Sequence, residues 1–205
     1  MRHFYSTKHI IKYRGFDVLV LPNVFVPRQI SRMKGISPKN KRMYENRDVL
    51  DMGSGTGVQS IIAYHSGARS IKAVDIYATA CENARQNFEG HGMRNSEVIL
   101  SDLFENVVGE FDSMIAYLPS MDRPVEKIRE KAVYDPGFKT FDRFLSTARE
   151  HLRTDGVIYT CWVNVNDSIK KFYAMLDAHR YQVVDSRILM HGKEEWHMFD
   201  LKKIN

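Results

Sequence analysis

Val49-Leu50-Asp51-Met52-Gly53-Ser54-Gly55-Thr56-Gly57 is the stretch on which the reading of this chain turns. A short apolar run ends in three alternating glycines, and Val58 to Ser66 follows with helix length and apolar content. A glycine-rich turn between a strand and a helix brings backbone close to a ligand, because no Cβ stands in the way. Dinucleotide folds space these residues Gly-x-Gly-x-x-Gly, under a pyrophosphate at the helix amino terminus. Here Val58 occupies the position of that third glycine, and no Gly-Lys-Ser/Thr follows to make a phosphate loop.

Asp51 narrows the ligand further. A carboxylate two residues before Gly53 repels a pyrophosphate, but it orders the loop and attracts a cationic amino-acid tail. Asp75 ends the Ala73-Val74-Asp75 run about twenty residues after the loop, where a carboxylate accepts from both ribose hydroxyls, with Ile76 beside it. Asp102 follows the next apolar run in Ser101-Asp102-Leu103-Phe104 and is placed to accept from an adenine amine, with Leu103 against the ring. Three acids at successive strand ends suit one adenosyl ligand with an ammonium, a sulfonium and no phosphate. S-adenosylmethionine (SAM) is that ligand. Its expected contacts are Asp51, Gly53, Ser54, Gly55, Gly57, Asp75, Ile76, Asp102 and Leu103.

Outward from the loop, strand-like and helix-length segments alternate. Strands are expected at 48–52, 70–76, 97–101, 111–117 and 157–163, with helices at 58–66, 78–91, 141–153 and 166–179, the last capped by Asn166 or Asp167. Asp155-Gly156 is expected to end the third of these helices. Segments 181–190 and 196–202 read as an antiparallel pair around His191-Gly192. Such βαβ units imply a three-layer α/β/α, Rossmann-like fold. Its seven-stranded sheet is mainly parallel and closes on a carboxyl-terminal antiparallel pair. Residues 1–46 stand apart as a basic cap or lid, with a short hairpin expected at Asp17 to Leu21 and Val24 to Val26. Residues 47–205 form the cofactor domain.

The 205 residues carry a net charge of +5 with 43% hydrophobic content, enough for one packed core. Residues 1–48 hold eleven lysines and arginines, including Arg2, Lys8, Arg28 and Arg32, against only three acids. Everything downstream is mildly acidic. Cys81 and Cys161 stand far apart without Cys-x-x-Cys spacing, which points away from disulfides and zinc and toward a reduced, cytoplasmic protein. The start of the chain, Met1 to Lys12, lacks a signal-peptide apolar run, and no run is long enough to span a membrane.

With these motifs the sequence resembles class I SAM-dependent methyltransferases, and within them the small-domain group of HemK/PrmC-type enzymes. Gly15-Phe16-Asp17-Val18 through Val24-Phe25-Val26-Pro27-Arg28 is similar to the segment preceding that group's cofactor domain. Asp51 to Gly57 is similar to its cofactor loop, and Ser101-Asp102-Leu103-Phe104-Glu105 to its third motif. Asp135-Pro136-Gly137 followed by 141–152 resembles its later loop and helix. The departure falls after the fourth strand. The group carries Asn-Pro-Pro-Tyr there, where the Asn and a prolyl carbonyl hold a planar nitrogen. This chain has Tyr117-Leu118-Pro119-Ser120. A phenol offers one donor where the amide offers two and a carbonyl acceptor, so the amide-nitrogen geometry is not expected to carry over. A counterpart of the helical amino-terminal domain of release-factor methyltransferases is not expected.

The resemblance implies a methyltransferase, with Tyr117 and Pro119 as its catalytic candidates. The substituted motif favours a nitrogen or oxygen of a small molecule as acceptor. Protein or RNA docked on the basic segment is the alternative, and a catalytically silent SAM-binding subunit is a third reading. No membrane partner is expected, and a homodimer is left open. Tyr134, Asp135, Asp122, Arg123 and Glu126 belong to loops placed to cover a substrate. Trp162 and Asn164 lie at a strand's carboxyl end, where Trp162 reads as core. His65, His91, His151, His179, His191 and His197 show no metal-ligand spacing, so no metal site is expected.

Overall fold

The computed structural model describes residues 5–27, 43–191 and 194–204. The chain divides into two compact units, Met1–Val107 and Val108–Asn205.

In the first unit, β1 (His9–Tyr13) and β2 (Phe16–Val20) form an antiparallel hairpin, with His9 opposite Val20 and Tyr13 opposite Phe16. The hairpin lies one strand earlier than the sequence reading placed it. Arg14 and Gly15 both have positive φ, 52° and 91°, and two left-handed residues are what a tight two-residue hairpin turn requires. Where the expected second strand would begin, Asn23 is itself left-handed, and the Val24 amide closes a turn onto the Leu21 carbonyl at 3.2 Å. Strands β3 (Asp48–Met52), β4 (Ser70–Asp75) and β5 (Ser96–Leu100) run parallel, Asp51 opposite Ala73 and Ala73 opposite Val98. Their crossovers are α1 (Val58–His65) and α2 (Ala78–Gly90). The buried side chains of Tyr13, Val18, Val58, Ile61 and Ile62 pack the hairpin onto α1. Burial of a side chain such as Ile61 stabilises by roughly 1.5–3 kcal/mol.

In the second unit, β6 (Phe111–Ala116) runs parallel to β7 (Leu152–Asn164). Strand β9 (Glu194–Lys203) lies antiparallel between β7 and β8 (Tyr181–His191). Helices α3 (Lys139–His151) and α4 (Ile169–Ala178) connect them. The strand order is β5-β4-β3 in the first unit and β6-β7-β9-β8 in the second, and the fold is the mainly parallel, seven-stranded, Rossmann-like one expected.

Two local readings are corrected. Asp155-Gly156 is not a clean turn before a strand. Phe111 faces Leu152, yet Ser113 faces Val157, so residues 153–156 bulge out of the ladder. A Cβ at Gly156 would lie 2.6 Å from Leu152 Cδ1, so the bulge needs a glycine there. Helix α4 begins at Ile169 and is not capped by Asn166 or Asp167. Both are left-handed, φ 53° and 62°, and they turn the chain before the helix starts. The Ile169 amide donates instead to Asn164 Oδ1 at 3.2 Å.

Candidate active site

The glycine loop is held from behind by β4. The amides of Gly53 and Ser54 both donate to the Val74 carbonyl, at 2.8 and 2.9 Å, and the Gly57 amide to Ser54 O at 2.7 Å. Gly53, Gly55 and Gly57 all have positive φ. Their needs differ, however. Nothing lies within 4 Å of a Cβ built at Gly55, whereas one at Gly57 would lie 2.8 Å from Phe88 Cε1 and 3.2 Å from Ala84 Cβ. Gly57 thus lets α2 approach the loop, and Gly55 leaves an open cradle.

Asp51 is buried, and its Oδ2 accepts both the Ser60 amide at 3.0 Å and the Ser60 hydroxyl at 2.7 Å. The carboxylate therefore ties the loop to the first turn of α1. Burial pushes its pKa up to about 6, against the two Ser60 hydrogen bonds. Asp75, also buried, accepts the Gly55 amide on Oδ2 at 2.9 Å and the Tyr77 amide on Oδ1 at 3.0 Å. Its pKa is likewise raised by burial, which outweighs those backbone donors. Ile76 beside it is an exposed apolar side chain. The Ser101 amide donates to the Asp75 carbonyl at 3.0 Å, so the ends of β4 and β5 meet one residue before Asp102. Leu103 is buried with φ 49°, and Asp102 opens a turn that closes from the Glu105 amide. The structure thus brings Asp51, Gly53, Ser54, Gly55, Gly57 and Asp75 together and sets Ile76, Asp102 and Leu103 at the adjoining strand ends.

An adenosyl cofactor with an amino-acid tail fits these residues. The Ser54 hydroxyl is buried without a hydrogen-bond partner, which a native interior rarely tolerates unless a ligand completes it. It sits beside the open cradle at Gly55 and one residue from the amide that Asp75 holds. The Asp75 carboxylate takes the amides of Gly55, Tyr77 and Ile76, and its two oxygens, with about four lone-pair sites, can still accept from a hydroxyl.

Two residues that the sequence reading passed over complete this unit. Asn83 and Asn87, one turn apart on α2, are buried among Ala80, Cys81, Ala84 and Phe88. Asn83 accepts the Leu21 amide at 2.7 Å and donates to Leu19 O at 2.8 Å. Asn87 accepts the Leu19 amide and donates to both Leu19 O and Thr56 O, each at 2.8 Å. The amides imitate a neighbouring strand along β2, and Asn87 joins that strand to the glycine loop. Polar residues at i, i+4 on an otherwise apolar helix face were the signal available for them.

In the second unit, Tyr117 follows the last residue of β6 and is half-buried, as is Pro119. Leu118 between them is buried, and Ser120 Oγ accepts the Val163 amide at 3.4 Å. The reading of Asp135 as a substrate-covering residue is corrected. It is 3% exposed and accepts the Thr140 and Phe141 amides at 3.0–3.1 Å, capping the first turn of α3. Asp122 accepts the Gly137 amide at 2.8 Å and pairs with Lys171 at 3.2 Å, and these hold its carboxyl below the usual range. The Arg123 guanidinium lies over the Tyr134 ring at 5.8 Å, and Glu126 is exposed. Trp162 is fully buried against Phe138, Phe141 and Phe172, its Nε1 donating to Ser168 Oγ at 3.0 Å. Asn164 caps α4 and donates to Glu195 Oε2 at 3.0 Å, so it serves the fold rather than a ligand.

A glycine loop backed by a parallel sheet, with acids at successive strand ends, defines a SAM-dependent methyltransferase. The chain belongs to the methyltransferase small domain family, whose model matches residues 16–184. A protein of Methanocaldococcus jannaschii named as a protein N5-glutamine methyltransferase is 34% identical over 156 residues, 73% of this chain and 77% of that one. The release factor glutamine methyltransferase of Shewanella oneidensis is 28% identical over 165 residues, 73% of this chain and 58% of that one. A protein crystallised with S-adenosylhomocysteine has the same fold, with a TM-score of 0.71 at 18% identity over 97% of this chain and 56% of that one. The M. jannaschii tRNA m1G37 methyltransferase gives 0.70 at 22% identity, over 98% and 58%. The chain thus spans little more than half the length of several proteins it matches. Among the described residues no helix is long and apolar enough to cross a membrane.

Proposed function

We propose that this methyltransferase acts on a nitrogen or oxygen of a small-molecule acceptor. The observation that carries the reading is Tyr117-Leu118-Pro119-Ser120 in place of Asn-Pro-Pro-Tyr, which removes the amide that would grip a carboxamide or a base. Asp75 would hold the ribose, Asp102 the adenine amine, Ile76 and Leu103 the ring, and Asp51 the ammonium, with the amides and glycines of 53–57 lying along the tail. When bound, SAM supplies an activated methyl carbon. The acceptor lone pair forms the new bond as the carbon–sulfur bond breaks, and the acceptor then releases a proton. Orientation of the two reactants supplies most of the rate for such a displacement. We place Tyr117 and Pro119 on the acceptor side, where the phenol hydroxyl orients the acceptor and the ring face favours positive charge beside it.

A second reading has a protein or RNA acceptor. The names of the Methanocaldococcus and Shewanella relatives, both for glutamine methylation, favour protein. In that case the basic residues of 1–46 would dock the macromolecule and otherwise act as a lid. Arg28, Arg32 and the other cations of 28–42 lie outside the described residues. Cys81 and Cys161 are free and buried, consistent with a cytoplasmic setting. We keep a homodimer as a proposal for sedimentation to test.

Labelled-methyl transfer into fractionated small molecules, protein and RNA separates the readings. Label in the small-molecule pool supports the first, and label confined to protein or RNA overturns it. An RNA acceptor would also bind with a steep inverse dependence on salt.

A further inference from the structure

The first unit holds a pair of imidazoles that methyl transfer does not use. His65 is the last residue of α1, His91 follows α2 directly, and Phe16 and Asp17 open β2. His65 Nε2 and His91 Nδ1 approach to 3.4 Å, with ring planes at 73°. The other nitrogen of His91, Nε2, lies 2.8 Å from the Asp17 carbonyl oxygen. A carbonyl only accepts, so Nε2 carries the proton and the neutral ring turns the lone pair of Nδ1 toward His65. Phe16 stacks on His65 at 4.7 Å and meets His91 edge-on at 5.9 Å. Tyr64 closes on His65 from the side, and its hydroxyl donates to Gly92 O at 3.2 Å. Both rings are therefore fixed by contacts other than the one between them.

At 3.4 Å the contact is a long, weak hydrogen bond. The separation matches two imidazole nitrogens that share a tetrahedral cation. With bonds of about 2.0–2.1 Å, the two nitrogens stand about 3.3 Å apart. The carbonyl behind His91 is the kind of partner that fixes the tautomer of a metal-binding imidazole. His65 is exposed and His91 half-buried, so a hydrated ion reaches the pair from solvent. Among the described residues no cluster of three or more His, Cys, Asp or Glu forms. The site is therefore a two-point one, with water in the remaining positions.

We propose that His65 and His91 form a two-histidine site for a late first-row divalent cation such as zinc or nickel, at the junction of α1, α2 and β2. Imidazole nitrogens suit these ions and not magnesium or calcium, which prefer oxygen. An ion there clamps the end of α1 to the turn after α2 and, through the Asp17 carbonyl, to the hairpin.

The test is calorimetric titration of the full chain with zinc chloride, and separately with nickel and magnesium chloride. One zinc or nickel site per chain at micromolar affinity is expected, with no heat from magnesium. His65→Ala and His91→Ala should each weaken binding tenfold or more, whereas His151→Ala, in the second unit, leaves it unchanged. Absence of a saturable site in the unaltered chain overturns the proposal, as does unchanged binding in both variants. Substoichiometric Cu²⁺ added to the unaltered chain gives a readout independent of variant folding. It should broaden the His65 and His91 ring resonances first, and broadening centred on other histidines refutes the assignment.

Discussion

Replacing Asn87 by Ala tests whether the hairpin and the glycine loop are one mechanical unit. The side chain makes three 2.8 Å hydrogen bonds, to the Leu19 amide, Leu19 O and Thr56 O. Leu19 O keeps a donor in Asn83, so the change strips the Leu19 amide and the Thr56 carbonyl of this partner. Each group left unsatisfied in the interior costs about 1–3 kcal/mol. The expected loss is therefore about 2–6 kcal/mol, a large share of the roughly 5–15 kcal/mol available to a domain. Urea unfolding followed by far-UV circular dichroism measures it, at an unchanged dependence on denaturant. Because Thr56 belongs to the cofactor loop, calorimetry should also show SAM affinity falling fivefold or more. Asn87→Asp keeps the acceptor for Leu19 but turns an oxygen toward two carbonyls, and should lose at least as much at neutral pH. A loss below about 0.5 kcal/mol for Asn87→Ala, with SAM affinity unchanged, refutes the coupling.

Gly57→Ala places a Cβ 2.8 Å from the Phe88 ring at φ 75°. Overpacking of about 1–3 kcal/mol adds to about 1–2 kcal/mol for the left-handed backbone, which thermal unfolding would register. Asp51, raised from 3.8 to about 6 by burial, binds its proton more tightly folded than unfolded. Its contribution favours the folded state below pH 4 and is lost as pH rises through 6, at a cost of about 3 kcal/mol. Asp51→Asn should flatten stability between pH 4 and 6 in denaturant titrations, and a variant that keeps the full slope contradicts this. Tyr117→Phe should bind SAM as the unaltered chain does but change turnover in single-turnover methyl transfer. Loss of cofactor affinity would move Tyr117 from the acceptor side to the cofactor side.

The parallel strands and their helices were legible because period and length agree with glycine punctuation at 53–57. The place of Asp75 at the end of β4 was legible from the apolar run Ala73-Val74 before it. The sequence could not show how Asp51 divides its oxygens, since Ser60 comes within reach only when α1 folds back over the loop. Asp135 was misread for a related reason. Its capping of α3 depends on left-handed residues at Gly137 and Phe138, and nothing in Phe138 announces that conformation. The hairpin expected at 17–21 and 24–26 was misplaced because the Arg14-Gly15 turn, which sets the register, was passed over. His65 and His91 lie 26 residues apart, so no spacing rule would have joined them.

The position of β9 between β7 and β8 also orders events in time. When β8 has just been synthesised, β9, the one strand it pairs with among the described residues, has not. The strand of β7 that will face β9 is equally bare, with Trp162 and Phe199 not yet brought into one core. Completion of this half of the sheet therefore waits for β9, which bridges β7 and β8. The first unit has no such dependence, since β3, β4 and β5 pair with one another as they emerge. The glycine loop and Asp75 can thus be in place while the rest of the chain is still being synthesised. A premature stop inside β9 would leave that loop intact but strip two strands of their common partner, giving a chain that is built to hold its cofactor and prone to aggregate.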